Sequence, residues 1–169
     1  MKVIFINDST SSPNWGDRAA ATSLKRMIRE AGGDVILSIT ETELTRTLLT
    51  EPQAEVWDRP VHRRGRDYFG LLVPPAVPRL GHRLAGRLGF PRGHRVPERW
   101  DGFPAAARAF VNDSEAWPSL RGAARLADVA IIHGDGAMVA NGNIPRTMLF
   151  LAYVLTTMFD VPVALVNHT

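Results

Sequence analysis

Residues 2–21, KVIFINDSTSSPNWGDRAAA, determine how the rest of the chain is interpreted. The apolar run at residues 3–6 has no polar alternation, which is typical of a strand that is buried on both faces of a sheet. A polar loop with Pro13 and Gly16 follows, and Asp17 then opens a stretch of helix-forming residues. A buried strand, a polar turn and a helix in this order indicate the beginning of an alternating α/β pattern.

The same alternation continues along the chain, apart from its middle. The predicted elements are strand 2–6, helix 17–31, strand 34–40, a short helix opened by Thr40 or Thr42 and closed before Pro52, helices near 104–113 and 117–127, strand 128–133, helix 143–160 and strand 161–167. Apolar strands that alternate with helices predict a Rossmann-like parallel sheet with helices on both faces. Ligands of such sheets bind at the carboxyl ends of the strands.

The helix predicted over residues 17–31 is amphipathic, and a pair of glycines at 32 and 33 is expected to end it. Its predicted apolar stripe consists of Ala20, Leu24, Met27, Ile28 and Ala31. The residues expected to face water are Lys25, Arg26, Arg29 and Glu30.

The chain of 169 residues fits one domain, and its 45% of hydrophobic residues is enough for a core. It contains no cysteine, which excludes disulfides, thiolate metal sites and cysteine nucleophiles. No run reaches the roughly 18 apolar residues of a membrane span, and too few apolar residues precede Asn7 for a secretory signal. We therefore expect a cytoplasmic protein.

The middle of the chain breaks the pattern. Residues 52–104 are rich in Pro, Gly and Arg without a sustained period, which predicts a basic insertion that is only partly ordered. Residues 56–100 carry ten Arg against three acidic residues, a net charge of +7 in a chain of +3. Arginines at every fourth position from 79 to 87 suit an anionic membrane surface, here the inner membrane face, and equally a solvated helix of a larger domain. No specific nucleic-acid partner is expected.

The loop after the first strand is the first candidate binding site. A helix that begins near Gly16 or Asp17 presents backbone N–H groups and a partial positive charge, which favour phosphate or carboxylate. The amide of Asn14 and the hydroxyls of residues 9–12 add hydrogen-bond donors. Asp17 can equally be only a helix cap. The loop matches neither G-x-x-x-x-G-K-[ST] nor G-x-G-x-x-G, so a nucleoside triphosphatase or an ordinary dinucleotide enzyme is not expected.

The second candidate site is the glycine-rich loop HGDGAMVANGN, which begins at His133. Gly134 and Gly136 allow backbone angles closed to other residues, and successive N–H groups in such a turn can bind an anion. Asp135 between them can accept hydrogen bonds from sugar hydroxyls. A structural role is expected for His133 rather than catalysis, and His168 after the last strand is a cleft candidate with a structural alternative. No metal site is expected, because these residues lack the spacing of metal ligands.

Three stretches together resemble the N-terminal half of the polysaccharide pyruvyl transferase family. They are NWGDRAAATSLKRMI after the first strand, ADVAIIHGDGAM at the third and VPVALVNHT at the fourth. Asn14, Gly16 and Asp17 match the N-x-G-D turn of the family, and the strand from Asp128 precedes its glycine-rich turn. The resemblance does not extend to residues 52–104.

The resemblance implies one Rossmann-like half of a two-domain, GT-B-like glycosyltransferase fold. It implies a transferase of polysaccharide biosynthesis for the cell envelope. Such an enzyme moves the pyruvyl unit of phosphoenolpyruvate onto a saccharide or lipid-linked saccharide as a ketal. Phosphoenolpyruvate is the donor substrate, and no cofactor is expected. In the family the second half supplies the basic residues that hold this donor, so the present chain is expected to lack its C-terminal half and to be incomplete or inactive alone.

On this interpretation, Asp17 is the candidate catalytic residue. The expected substrate-binding residues are Asn14, Gly16, Asp17, Gly134, Asp135, Gly136 and His168. Asp135 stands where many relatives have glycine. Two other functions are compatible with the sequence: a GT-B-type glycosyltransferase that uses a nucleotide sugar, and a non-enzymatic module that binds anions or a membrane surface.

Overall fold

The computed structural model describes residues 1–50, 94–134 and 143–166, and strands and helices alternate through these ranges. The elements are β1 (Lys2–Ile6), α1 (Trp15–Glu30), β2 (Asp34–Ile39), α2 (Glu41–Thr47), β3 (Leu48–Thr50), β4 (His94–Val96), a 3-10 turn (Trp100–Gly102), α3 (Phe103–Asn112), α4 (Pro118–Ala124), β5 (Val129–His133), α5 (Asn143–Met158) and β6 (Val163–Val166). The predicted α/β class is confirmed.

Four of these strands form a parallel sheet in the order β2-β1-β5-β6. Strand β1 is central, and Phe5 lies opposite Ser38 of β2 on one side and Ile131 of β5 on the other. The chain moves from β1 to β2 in one direction and resumes on the opposite side of β1 with β5. The order of strands therefore reverses between β1 and β5, and sheets of this kind bind ligands beside such a reversal.

Strand β1 is buried on both faces, as its unbroken apolar run predicts. Val3, Ile4, Phe5 and Ile6 are all fully inaccessible to solvent. On one face, Val3 and Phe5 pack with Ile28 of α1. On the other face, Ile4 and Ile6 belong to the larger core, to which helices α2 to α5 contribute. Helices consequently cover both faces of the sheet, as predicted.

Helix α1 buries only part of the predicted stripe, in which Leu24 packs beside Ile28. Ala21 and Ile28 are its buried residues, whereas Met27 is 62% exposed. Lys25 was expected to face water, but its ammonium lies 5.3 Å from the centroid of the Phe5 ring. Residues 21, 25 and 28 are spaced i, i+4 and i+7, which places them on one face of a helix. The helix is rotated so that Lys25 faces the sheet, and this displaces Met27 to the surface.

The segment after β2 also differs from its prediction. Thr40 caps α2 as expected, in a reciprocal pair of hydrogen bonds with Glu43. The helix ends at Thr47, however, and residues 48–50 form β3 instead of a further helical turn. The backbone is already extended at Leu48, whose side chain is buried in the core. Burial of Leu48 from a strand therefore outweighs continuation of a helix rich in β-branched threonine.

The end of the predicted insertion belongs to the folded body. Strand β4 pairs in parallel with β3, and Val96 is fully buried. Phe103 at the start of α3 is 2% exposed and packs edge-on against Phe150 of α5. Residues 52–93 of the insertion lie outside the described residues, so its contact with an anionic membrane surface stays a prediction.

Helix α5 is apolar on most sides and packs across the larger core. Met148, Leu151, Val154 and Leu155 are fully buried, as expected for a helix inside a folded protein. The Thr156 hydroxyl donates a hydrogen bond to the Ala152 carbonyl oxygen, so this exposed polar side chain is bonded within its own helix. Among helices in the described ranges, none has both the length and the apolar character that crossing a bilayer requires.

Two glycines are expected to respond in opposite ways to alanine. A Cβ at Gly33 would lie 2.7 Å from Cγ2 and 2.9 Å from the carbonyl oxygen of buried Ile28, so Gly33→Ala should lower the free energy of unfolding by about 1–3 kcal/mol. A Cβ at Gly122, inside α4, meets nothing within 4 Å, so Gly122→Ala should raise it by about 0.5–1 kcal/mol. Urea denaturation measures both, and shifts of the same sign would contradict the packing described.

Candidate functional site

A polar crevice of about 590 Å³ lies beside the carboxyl end of β1. The loop after β1 forms one wall, and the start of α2 and the first turn of α5 form the other. The described residues that line it are Asn7, Asp8, Ser9, Ser11, Ser12, Pro13, Asn14, Asp17, Thr40, Glu41, Thr42 and Ile144. Its position beside the reversal of strand order is where parallel α/β sheets bind ligands.

Asn7 connects the carboxyl ends of β1 and β5. Its side chain is 3% exposed, and Nδ2 donates a 2.9 Å hydrogen bond to the carbonyl oxygen of His133. Its backbone has φ of 65°, a left-handed conformation that asparagine tolerates better than most residues. The next strand end is joined in a similar way, because the Gly134 amide donates to the Val166 carbonyl at 2.8 Å. The ends of β1, β5 and β6 therefore meet at one edge of the sheet, as predicted, while the second loop beyond Gly134 lies outside the described residues.

Asp8 is the most highly connected residue of the site. Its carboxylate accepts hydrogen bonds from the Lys25 ammonium, from the Ser38 hydroxyl at 2.6 Å, and from both the amide and the hydroxyl of Thr10. Burial by itself acts to raise the pKa of Asp8, whereas these hydrogen bonds lower it more strongly, from 3.8 to about 2. The carboxylate is thus held ionised between β1, β2 and α1.

The first turn of α1 is closed by its own side chains. Asn14 is the helix cap: its Oδ1 accepts the Gly16 amide at 3.0 Å, and its Nδ2 donates to Asp17 at 3.0 Å. The Ser12 hydroxyl donates to the other oxygen of Asp17 at 3.2 Å, and the Ser9 hydroxyl donates to the Asp17 carbonyl. Asp17 therefore orders the turn through the side chains of Asn14 and Ser12 while it also lines the crevice.

Two of the backbone amides expected to receive an anion are already bonded within the protein. Gly16 donates to Asn14, and Gly134 donates to the carbonyl of Val166. The prediction that these two N–H groups are free for a phosphate or carboxylate is therefore wrong. The physical reason is that a side-chain cap and an extra backbone bond to the neighbouring strand satisfy them within the protein.

The structure brings only some of the predicted site residues together. Asn14 and Asp17 line the crevice, and Gly16 lies in the same turn. Gly134 is buried at the end of β5 and is not part of the lining. Asp135, Gly136 and His168 lie outside the described residues.

His133 is placed inside the sheet rather than at the crevice. It is fully buried, and its ring is stacked on Phe5 with centroids 6.2 Å apart. These surroundings agree with the structural role expected for His133, which stays a prediction. In the described part of the chain, no group of three or more His, Asp or Glu side chains is arranged to hold a metal ion.

Sequence reasoning missed the contributions of Asp8, Lys25 and the start of α2. Asp8 follows directly on the buried strand, so its place at the carboxyl edge could have been inferred. Lys25 is one of only two lysines in the chain, and its i, i+4, i+7 spacing with Ala21 and Ile28 places it towards the sheet. The sequence does not indicate that Glu41 lies near the β1 loop, because this proximity depends on how β2 pairs with β1.

The lining is rich in oxygen atoms and acidic. It offers the carboxylates of Asp8, Asp17 and Glu41, two carboxamides and five hydroxyls, and none of its described residues carries a cationic side chain. Asp8 is saturated by four hydrogen bonds, whereas each oxygen of Asp17 accepts only one. The carboxylate of Glu41 makes no hydrogen bond with the described part of the chain. Asp17 and Glu41 are therefore the carboxylates of the lining that can accept further hydrogen bonds from a ligand.

The fold and the crevice define the chain as an α/β protein with a Rossmann-like parallel sheet and an acidic, hydroxyl-rich crevice at its carboxyl edge. Comparison with protein-family models, with curated proteins and with solved structures finds no match.

We expect Asp8→Asn to remove stability in a pH-dependent way. Because folding lowers the pKa of Asp8 below 3.8, its contribution is complete above about pH 5 and is lost as the pH falls towards 2. The variant should therefore be less stable than the wild type by about 2 kcal/mol at pH 7, and the difference should shrink as the pH approaches 2. Chemical denaturation at several pH values measures this. Glu30→Gln, in an exposed pair with Arg26, is the control and should show no such trend.

Substitutions of Asn7 separate its hydrogen bond from its backbone conformation. Asn7→Gly removes the side chain that bonds the buried His133 carbonyl, at a cost of about 0.5–1.5 kcal/mol for the lost hydrogen bond. Asn7→Ala loses the same bond and must also place a Cβ at φ of 65°, which adds about 1–2 kcal/mol. Thermal denaturation should therefore rank wild type above Gly and Gly above Ala, and equal midpoints for the two variants would argue against strain at this position.

Proposed function

We propose that this chain supplies the saccharide-acceptor site of an enzyme similar to the polysaccharide pyruvyl transferases. The observation that best supports the proposal is the composition of the crevice: carboxylates, carboxamides and hydroxyls, with no cationic side chain among its described residues. Such groups are matched by a neutral ligand with many hydroxyls, each of which both donates and accepts a hydrogen bond.

A phosphate-bearing donor fits this crevice poorly. Asp17 and Glu41 would face its negative charge across the opening, and like charges disfavour binding. The amides of Gly16 and Gly134, which might have offset this repulsion, are already bonded within the protein. Binding of the acceptor in this crevice and of the donor elsewhere agrees with the resemblance, which implies that basic residues of a second, GT-B-like half hold phosphoenolpyruvate.

The proposed reaction forms a ketal on the acceptor sugar. Two hydroxyl oxygens of one sugar residue form bonds to C2 of phosphoenolpyruvate, and the bond between C2 and the phosphate oxygen breaks. The methylene carbon takes one hydroxyl proton to become a methyl group, and the second proton leaves with phosphate. A positioned carboxylate assists by accepting a hydroxyl proton. Asp17 suits this role because it lines the crevice and is oriented by Ser12 and Asn14.

Ligand binding to the 169-residue chain tests the acceptor site directly. Calorimetry and saturation-transfer NMR with methyl glycosides of glucose, galactose, mannose and N-acetylglucosamine should show binding of at least one sugar and no binding of phosphoenolpyruvate. Asp17→Asn should weaken that binding by about fivefold, because a charge-assisted hydrogen bond is lost. Asp101→Asn is the matched control, since Asp101 lies in the exposed 3-10 turn away from the lining.

The alternative functions give different outcomes in the same experiment. Tight binding of uridine diphosphate glucose without binding of any methyl glycoside would favour a glycosyltransferase that uses a nucleotide sugar. Binding of phosphoenolpyruvate to this chain by itself would contradict the assignment of the donor to the second half. An unchanged affinity in Asp17→Asn would remove Asp17 from the site.

A further inference from the structure

Trp15, the first residue of α1, has an unusually exposed indole ring. It is 75% exposed, more than the other large apolar side chains of the described ranges. Trp100 is also well exposed, at 61%, but its ring packs against Phe103 and Tyr153 at centroid distances of 4.7 and 5.6 Å. Trp15 makes no ring contact and donates no hydrogen bond from its indole N–H within the described part of the chain.

Trp15 lies in the turn that supplies Asn14 and Asp17 to the crevice, although it is not itself one of the lining residues. Asn14, which precedes it, and Asp17, two residues after it, both line the crevice, and consecutive Cα atoms are about 3.8 Å apart. The turn is held on either side of Trp15 by the Asn14 cap on the Gly16 amide and by the bond between Asn14 and Asp17. The indole ring is therefore exposed to solvent on an ordered backbone. Binding of a ligand to the ring would not have to order the turn first.

We propose that Trp15 is the platform on which a sugar ring of the acceptor stacks. The face of an indole is apolar and electron-rich, and the C–H groups on one face of a pyranose form an apolar and weakly electropositive surface. The oxygen atoms of the crevice would then bind the hydroxyls around the edge of the same ring. The two features recognise complementary parts of one ligand, and this inference rests on the proposed function.

A neutral sugar suits this position better than a nucleotide. A nucleobase also stacks on tryptophan, but it brings phosphates with it. Asp17, two residues after Trp15, and Glu41 both contribute a carboxylate to the crevice lining. Stacking next to these carboxylates therefore favours the uncharged ligand.

Three substitutions at position 15 distinguish ring stacking from simple apolar contact. Trp15→Phe keeps an aromatic face and should retain the affinity for the bound methyl glycoside within about threefold, whereas Trp15→Leu and Trp15→Ala should lose about tenfold. Met27→Ala is the matched control, because Met27 is an exposed apolar residue at the other end of the same helix. Thermal denaturation should give the same midpoint for Trp15→Leu as for the wild type, since the ring is largely in solvent.

Fluorescence and calorimetry together give a clear outcome. In wild type, saturating glycoside should change the tryptophan emission, and the change should disappear in Trp15→Leu. If the wild type binds a glycoside and the Leu and Ala variants bind it equally well, stacking on Trp15 is wrong while the acceptor site stands. If the wild type binds no glycoside, the proposed function itself fails. Loss of uridine diphosphate binding in Trp15→Leu, without an effect on glycosides, would overturn the inference in favour of a nucleotide.

Discussion

The ionised carboxylate of Asp8 is the constraint on which the geometry of the crevice depends. Its four hydrogen bonds connect the end of β1 with Ser38 of β2, with Lys25 of α1 and with Thr10 of the loop itself. A buried carboxylate is tolerated only when its charge and its lone pairs are satisfied, so the three partners must be in place together. The loop that forms one wall of the crevice consequently starts from a rigid point.

The four strands of the main sheet were predictable from their apolar runs, whereas the short strands β3 and β4 were not. Residues 3–6 show this most clearly, and their parallel pairing with β2 and β5 follows from the helices between the strands. The rotation of α1 was not predictable from hydrophobicity, since the residue turned towards the sheet is Lys25, whose methylene stem packs while its ammonium reaches Asp8. The early end of α2 depended on the burial of Leu48, a tertiary contact that local propensity does not contain.

The edge of the sheet that carries the site was predictable, but the character of the site was not. Glycine-rich loops after parallel strands indicate the correct edge, and the bond between Asn7 and His133 shows how closely the two strand ends meet there. The glycines and the helix start after β1 predicted free backbone amides and therefore an anionic ligand. The folded chain uses the amides of Gly16 and Gly134 internally, and the crevice presents acidic and hydroxyl groups. A loop can thus have the composition of an anion site while its donors serve to cap a helix.

The parallel pairing of β3 with β4 has a consequence for how the chain can vary in length. Leu48 lies opposite His94, and Thr50 opposite Val96, so the segment 51–93 leaves and rejoins the body at points about 8 Å apart. Joining two nearby points through a longer connection costs entropy that rises only with the logarithm of its length. The body is therefore nearly indifferent to how many residues stand between these two short strands. Such an anchorage leaves this stretch free to grow, shrink or change in composition over evolution while the sheet and its crevice stay as they are.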